Sequence, residues 1–371
     1  MAQITQETLN SIMELYHSGK LEEAEAKVKE LLSESPNEIA ILNILGIIQD
    51  AKKEYEEAIK TYKKALDLNT DVPETHFNMG SLLQRQGKSE EAMTSYKKAI
   101  DLKSDFVNAY FNLGLVSQNI GDYEKAIKNY KKTLKLKPNF APTYNNLGVA
   151  LKCLNKLDEA LVNSKKAIEL DPKFADAHNN IGEILEDLGN LEEAYKFYKK
   201  AIKLKSSYSE AYYNLGILLK KLGKIEECVE NFQKAVTVNQ KNNRAYSNYL
   251  FNLNYLTKYD DNYYIEEAKK FGFSLKKIDN QLCIPYKYNV NPKKLTVGFV
   301  SADFRDHSVV FFLLDTFKYL RKKKIKLFAY SNNSHEDDFT KLIKQYVDNW
   351  VSIVYKTDKD LINLIRKDNL D

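Results

Sequence analysis

Small and apolar residues recur along this chain with one fixed step. Glycine stands at 46, 80, 114, 148, 182 and 216, every interval being 34 residues. Twelve positions after each glycine comes a small side chain: Ala58, Ala92, Ala126, Ala160, Ala194 and Cys228. Four later comes Tyr62, Tyr96, Tyr130, Ser164, Tyr198 or Phe232, and three after that Ala65, Ala99, Thr133, Ala167, Ala201 or Ala235. Between these marks the apolar residues fall three and four apart, which predicts two amphipathic helices per unit. Turn signals such as GDYEKA and GNLEEA separate the helices, and Pro138 and Pro172 close two units. The glycine and alanine let the paired helices approach closely, and the aromatic fills the space beside them. A degenerate unit with Gly19, Ala24 and Pro36 in register precedes the first full one. The pattern predicts seven units from about residue 5 to 242, then the first helix of an eighth, Asn243 to Leu256.

Period and small/large order resemble the tetratricopeptide repeat. The resemblance implies an α-solenoid whose first helices line a concave groove. Two residues before the glycine stands asparagine: Asn78, Asn112, Asn146, Asn180 and Asn214, continued by Asn248 and broken at Ile44. An amide at that position can hydrogen-bond the backbone of an extended peptide without reading its side chains. The plainer alternative is a consensus residue tolerated on a solvated surface. His76 and His178 share one place in their units, where Tyr110, Tyr144 and Tyr212 stand in others, so they read as packing or groove residues. His17 and His335 have no neighbours that suggest chemistry.

After Leu256 the period fails. Residues 257–293 read as a linker with one helix, Asn262 to Phe271. From 294 to 371 the elements alternate: strand Leu295–Val300, helix Val309–Lys322 with Ser308 as N-cap, strand Lys326–Tyr330, helix Asp337–Val347, strand Trp350–Tyr355 and helix Asp358–Lys367. Such alternation predicts a parallel sheet with right-handed crossovers. Three strands would leave an open edge and an uncovered face. The sequence therefore reads as a fragment whose next residues form an apolar strand. No GxGxxG follows the first strand, since Gly298 lies within it, and this disfavours a dinucleotide fold. P-loop, HExxH and GxSxG motifs are also missing from the sequence.

Composition narrows the classes further. The chain has 371 residues, enough for two domains or one domain and an array. Net charge is +5, and the positives are interspersed with Glu and Asp, which argues against a nucleic-acid partner. The run Arg321-Lys322-Lys323-Lys324 sits at a predicted helix end, where the helix dipole favours cations. No apolar run is long enough for a membrane span, and no secretory signal opens the chain. Cys153, Cys228 and Cys283 form neither a CxxC motif nor a disulfide framework, which predicts a reducing, cytoplasmic setting.

The segment VGFVSADFRDHSV, with the repeats before it, resembles the opening of the catalytic region of tetratricopeptide-bearing O-GlcNAc transferases and SPINDLY-like proteins. The preceding AYSNYLFNLNYL resembles their junction. The resemblance covers the whole chain. It implies an α-solenoid followed by the incomplete first α/β (Rossmann-like) lobe of a two-lobed GT-B glycosyltransferase. It further implies transfer of a sugar from a nucleotide-sugar, UDP-GlcNAc favoured, to Ser or Thr of polypeptides held by the asparagine ladder. The nucleotide-sugar would be a co-substrate, and no cofactor or metal is expected. His307 matches the histidine of the family's active-site cleft, considered there a base or positioning group. A histidine just before a helix N-terminus is expected to stay neutral near pH 7. Asp303 and Asp306 are expected to hold the turn. Some members carry a second histidine where this chain has Phe311, so that role is not carried over. The donor-binding lobe lies beyond the matched part, so nucleotide-binding residues stay unassigned and this chain alone is expected to be inactive. Repeat surfaces of this kind sometimes form homodimers. The alternative is a repeat scaffold that binds partner peptides without catalysis. A chaperone-binding clamp is disfavoured by seven continuous units.

Overall fold

The computed structural model describes residues 6–279, 295–323, 325–368 and 370. Two compact units result, one up to Glu267 and one from Ala268 onward. The later part of the expected linker, with Cys283, lies outside the described residues.

The first unit is a stack of antiparallel helix pairs. The pairs are α1 (Gln6–His17) with α2 (Leu21–Glu34), α3 (Ile39–Ala51) with α4 (Tyr55–Leu68), and α5 (Pro73–Arg85) with α6 (Ser89–Leu102). Then come α7 (Val107–Asn119) with α8 (Tyr123–Leu136), α9 (Ala141–Cys153) with α10 (Leu157–Leu170), α11 (Ala175–Asp187) with α12 (Leu191–Leu204), and α13 (Ser209–Lys221) with α14 (Ile225–Val238). Seven helix pairs are thus formed. The expected helix Asn243 to Leu256 is shorter, α15 (Asn243–Leu253), because the backbone N–H groups of Tyr255 and Leu256 bond three residues back and tighten the last turn. The linker helix is longer than expected, α16 (Asp261–Asp279). Gly272 does not end it, since one interior glycine costs only about 1 kcal/mol.

The glycine series is a packing requirement. A methyl group on Gly80 would stand 2.9 Å from the Tyr96 ring, on Gly182 2.6 Å from Tyr198 and on Gly216 2.7 Å from Phe232. Those rings are fully buried, so they cannot give way without opening the pair. First helices of successive units rest on one another: α3 on α5, α5 on α7, α7 on α9, α9 on α11 and α11 on α13. This sets them on the inner, concave side of the array. Each first helix is stopped by a left-handed residue seven after the glycine. Gly87, Gly121, Gly189 and Gly223 serve at φ 73 to 80°, whereas Lys53 (φ 67°) and Asn155 (φ 57°) do so against the preference of an L side chain.

The second unit holds a parallel sheet of β1 (Thr296–Ser301), β2 (Lys326–Ser331) and β3 (Asn349–Ser352), in the order β1-β2-β3. Between and after them run α17 (Ser308–Lys322), α18 (Asp338–Lys344) and α19 (Asp358–Lys367). Thr296 lies opposite Lys326, and Phe328 opposite Asn349. The central strand alternates by face. Leu327 and Ala329 join Phe304, Val310, Phe317 and Ile343 in one core. Phe328 and Tyr330 join Ile353 in the other. The expected uncovered face is therefore corrected: Leu361, Leu364 and Ile365 of α19, with Leu370, pack on it. Gly298 makes room for Leu370, since any side chain there would collide with it. The third strand ends at Ser352 and not at Tyr355, whose φ of 64° cannot continue a strand. The second crossover helix also ends early, at Lys344, where Gln345 and Tyr346 turn back on residues 342 and 343.

Candidate functional site

Every asparagine of the ladder lies on a first helix and is half-buried: Asn78 on α5, Asn112 on α7, Asn146 on α9, Asn180 on α11, Asn214 on α13 and Asn248 on α15. Their amides are not equivalent. Asn112 donates to the Tyr96 hydroxyl at 3.2 Å. Asn146 accepts from Asn145 at 3.3 Å. Asn180 donates to Asn145 Oδ1 of the preceding unit at 2.8 Å. Asn214 donates to Asn179 Oδ1 at 3.1 Å and to Glu183 Oε1 at 2.8 Å. Asn248 donates to the Arg244 carbonyl at 3.0 Å. Asn78 has no hydrogen-bond partner among the described residues. The inner units thus engage their donors in separate clusters, Asn145 with Asn146 and Asn180, and Asn179 with Glu183 and Asn214. The Oδ1 atoms of Asn180 and Asn214 remain without a partner among the described residues, and can accept a peptide N–H.

Glu183 is the hub of the second cluster. Besides Asn214 it takes a hydrogen bond from Asn179 at 2.9 Å and an ion pair with Lys152 of the preceding unit. Glu186, one turn on, accepts from the Tyr198 hydroxyl at 2.9 Å and pairs with Lys221 of the next unit at 2.7 Å. The carboxylates of α11 are therefore flanked by cations from α9 and α13.

The buried tyrosines follow a rule of their own. Tyr96, Tyr130 and Tyr198 each donate to the residue twelve positions earlier, namely Gln84 (2.7 Å), Gln118 (3.1 Å) and Glu186 (2.9 Å). Phe232 and Ser164, which present no phenolic hydroxyl, have lysines at that place, Lys220 and Lys152. Tyr62 is the exception. Its counterpart Asp50 pairs with Arg85 of the next unit, and the Tyr62 hydroxyl has no hydrogen-bond partner among the described residues. His76 and His178 bond the carbonyls of Thr70 and Pro172 through Nε2, at 2.9 and 3.0 Å, which agrees with a packing role.

In the second unit the turn between β1 and α17 carries His307. The N-cap of α17 is His307 and not Ser308, which is already helical. Extended backbone (φ −154°, ψ 148°) turns the ring back so that Nδ1 accepts the Val309 N–H at 3.3 Å. Asp303 Oδ2 stands 4.0 Å from Nδ1, beyond hydrogen-bonding distance. Nε2 has no partner among the described residues.

The turn is held from outside by a residue that sequence reasoning missed. Asp337 Oδ2 accepts the Asp306 N–H at 2.6 Å, while its Oδ1 accepts the Thr340 N–H at 2.8 Å. Thr340 in turn donates to the Phe304 carbonyl at 2.8 Å. The Asp306 N–H, then the Thr340 N–H, hold the Asp337 carboxyl below the usual carboxylate range. Asp306 thus serves the turn through its backbone, and the Asp303 N–H bonds Ser301 Oγ at 2.9 Å. The visible signal for Asp337 was its capping box, Asp337-x-x-Thr340. Among the described residues no cluster of His, Cys, Asp or Glu is disposed to hold a metal ion. Nor is any described helix long and apolar enough to cross a membrane.

Comparison with known proteins fits this geometry. TPR repeat profiles match residues 51–87, 85–121, 153–189 and 182–223. Further tetratricopeptide-repeat profiles match 107–140, 209–242 and 129–162. Together they span 51–242, over half of the chain, which therefore belongs to the tetratricopeptide-repeat proteins. Among solved structures, a mutant O-GlcNAc transferase from Thermobaculum terrenum is similar over 71% of this chain and 44% of its own, with 20% identity and a TM-score of 0.50. A tetratricopeptide repeat protein from Parabacteroides merdae is similar over 67% of this chain and 98% of its own, with 19% identity and a TM-score of 0.55. The APC/C hetero-tetramer Cut9–Hcn1 is similar over 65% of this chain and 48% of that chain, with 15% identity and a TM-score of 0.55. At these identities the likeness is one of fold. A probable biofilm formation methyltransferase of Pseudomonas putida is 31% identical over 81 residues, 22% of this chain and 19% of the relative. The chain thus spans about a fifth of that curated relative and under half of the transferase.

Proposed function

We propose that the solenoid is the polypeptide-binding arm of a protein O-glycosyltransferase of the O-GlcNAc transferase type. The module from 294 onward would belong to its catalytic region, the first part of a GT-B lobe. In this reading an extended acceptor lies along the concave groove, its backbone N–H groups meeting Asn180 and Asn214 Oδ1. A sugar passes from a nucleotide-sugar, UDP-GlcNAc favoured, to a Ser or Thr hydroxyl, in the cytoplasm and without a metal. The observation that carries the reading is the union in one chain of a concave asparagine ladder with a βα turn ending on a histidine N-cap. The likeness in fold to the Thermobaculum terrenum enzyme supports it.

The geometry bears on what His307 would do. With Nδ1 accepting the Val309 N–H, the neutral ring carries its proton on Nε2. That nitrogen is then a hydrogen-bond donor to a substrate oxygen, and base catalysis would first require a change of tautomer. Two substitutions separate the roles, because Asn and Asp are both good N-caps. His307→Asn keeps a donor, and His307→Asp supplies a base without one. The assay is transfer of labelled GlcNAc from UDP-GlcNAc to protein Ser and Thr in extracts of the source cells. Transfer retained in part by Asn and lost in Asp supports the donor role. The reverse order would establish the base, and transfer indifferent to both would remove His307 from the site.

The second reading is a scaffold that binds partner peptides without catalysis. The groove favours it as much as the first, because its binding face is made by the repeats alone.

A further inference from the structure

A cavity of about 440 Å³ opens across the first three helix pairs, between α1, α3, α4 and α5. Tyr16, Tyr55 and Phe77 line it together with Ile47 and Ala51. The space holds a ring-bearing side chain of a ligand with room beside it, and aromatic walls favour a ring edge-on or offset. Tyr62 and Asn78 supply polar atoms to the same space. Tyr62 is only 1% exposed, yet its hydroxyl alone among the buried repeat tyrosines Tyr62, Tyr96, Tyr130 and Tyr198 has no hydrogen-bond partner among the described residues. The cause is visible: Arg85, from the next unit, draws off Asp50. The hydroxyl faces the cavity and is open to a partner that enters it. Asn78, the first rung of the ladder, is equally unengaged.

Charge narrows the ligand. Asp50 is neutralised by Arg85, and Lys53 adds a cation to the lining. With that pair balanced, an incoming ammonium would meet Lys53. A neutral ring with a hydrogen-bonding edge avoids that repulsion.

We propose that this cavity is an anchor pocket for a tyrosine side chain of an extended polypeptide, with the ring among Tyr16, Tyr55 and Phe77 and the hydroxyl on Tyr62 and Asn78. The proposal rests on the reading of the groove as a polypeptide site. Its test uses fluorescein-labelled peptides rich in Ser, Thr and Val with a single tyrosine, alongside their Phe and Ala versions, titrated by anisotropy against the whole chain. The tyrosine peptide should bind about five-fold tighter than the phenylalanine one, the worth of one neutral hydrogen bond, and the alanine peptide more weakly still. Tyr62→Phe should reduce the preference for Tyr over Phe and leave the Phe peptide unchanged, and Tyr62→Phe with Asn78→Ala should erase the preference. The fold accepts this change, since Phe232 already fills the same place in another unit. Equal binding of all three peptides, still weakened by Asn180→Ala with Asn214→Ala, would overturn the pocket and leave the groove standing. No binding of any peptide to the unaltered chain would overturn both.

Discussion

Deleting one hydroxyl at a time from the buried tyrosines should give a graded series of losses. Tyr130→Phe removes a 3.1 Å bond to the neutral amide of Gln118, worth about 1 kcal/mol. Tyr96→Phe removes a 2.7 Å bond to Gln84 and leaves Asn112 without its acceptor, for about 1–2 kcal/mol. Tyr198→Phe strips a donor from the carboxylate of Glu186, which bonds to charged groups put at about 1.5–3 kcal/mol. The surviving pair with Lys221 keeps the loss toward the lower end of that range. Tyr62→Phe removes nothing that is bonded and should cost under about 0.5 kcal/mol. All four rings stay buried, so the apolar contribution cancels along the series. Repeat arrays unfold unit by unit as readily as all at once, so a global midpoint would blur the comparison. The readout is native-state amide exchange of the helix pair that carries each substitution. A Tyr62→Phe loss equal to that of Tyr130→Phe would refute the reasoning, because it would mean that the Tyr62 hydroxyl has a protein partner and the cavity awaits none.

Two further changes follow from the backbone and the turn. Lys53→Gly relieves a left-handed residue and should stabilise the first full unit by roughly 0.5–1 kcal/mol, the relieved strain less the extra entropy of glycine, read as slower amide exchange in α3 and α4. Asp337 has its carboxyl held below the ordinary range, so the unfolded chain binds the proton more readily and the contribution of Asp337 is present above its unfolded value. The second unit should therefore lose thermal stability as pH falls below about 4, and Asp337→Asn should flatten that acid limb. An unchanged limb would show that Asp337 does not hold the turn.

Much of this architecture could be read from the chain because a 34-residue step repeats one packing problem. Five of the six glycines face a ring and Gly148 faces Ser164, and with the degenerate unit in register seven units could be counted before any helix was seen. Strand and helix order in the second unit was legible for the same kind of reason, through period and capping signals. What escaped were relations between units. Asn180 reaches Asn145 and Asn214 reaches Asn179, each 35 positions away and not two positions from a glycine as the ladder is. The diversion of Asp50 to Arg85, which strands the Tyr62 hydroxyl, likewise depends on a neighbour one unit on. Asp337 meets Asp306 across 31 residues, and only its capping box was local. The histidine turn itself was visible as a motif, but the nitrogen used for capping follows from backbone angles that a motif does not carry.

The account turns on whether this protein puts sugar on polypeptides that its groove holds. The most direct measurement is mass spectrometry of Ser- and Thr-linked GlcNAc in the source cells, with the gene intact, deleted, or carrying Asn112→Ala, Asn180→Ala and Asn214→Ala together. The account predicts loss of the modification on deletion and a marked fall across many acceptors in the triple variant. Modification that persists unchanged after deletion would contradict the transferase reading and leave a peptide-binding scaffold.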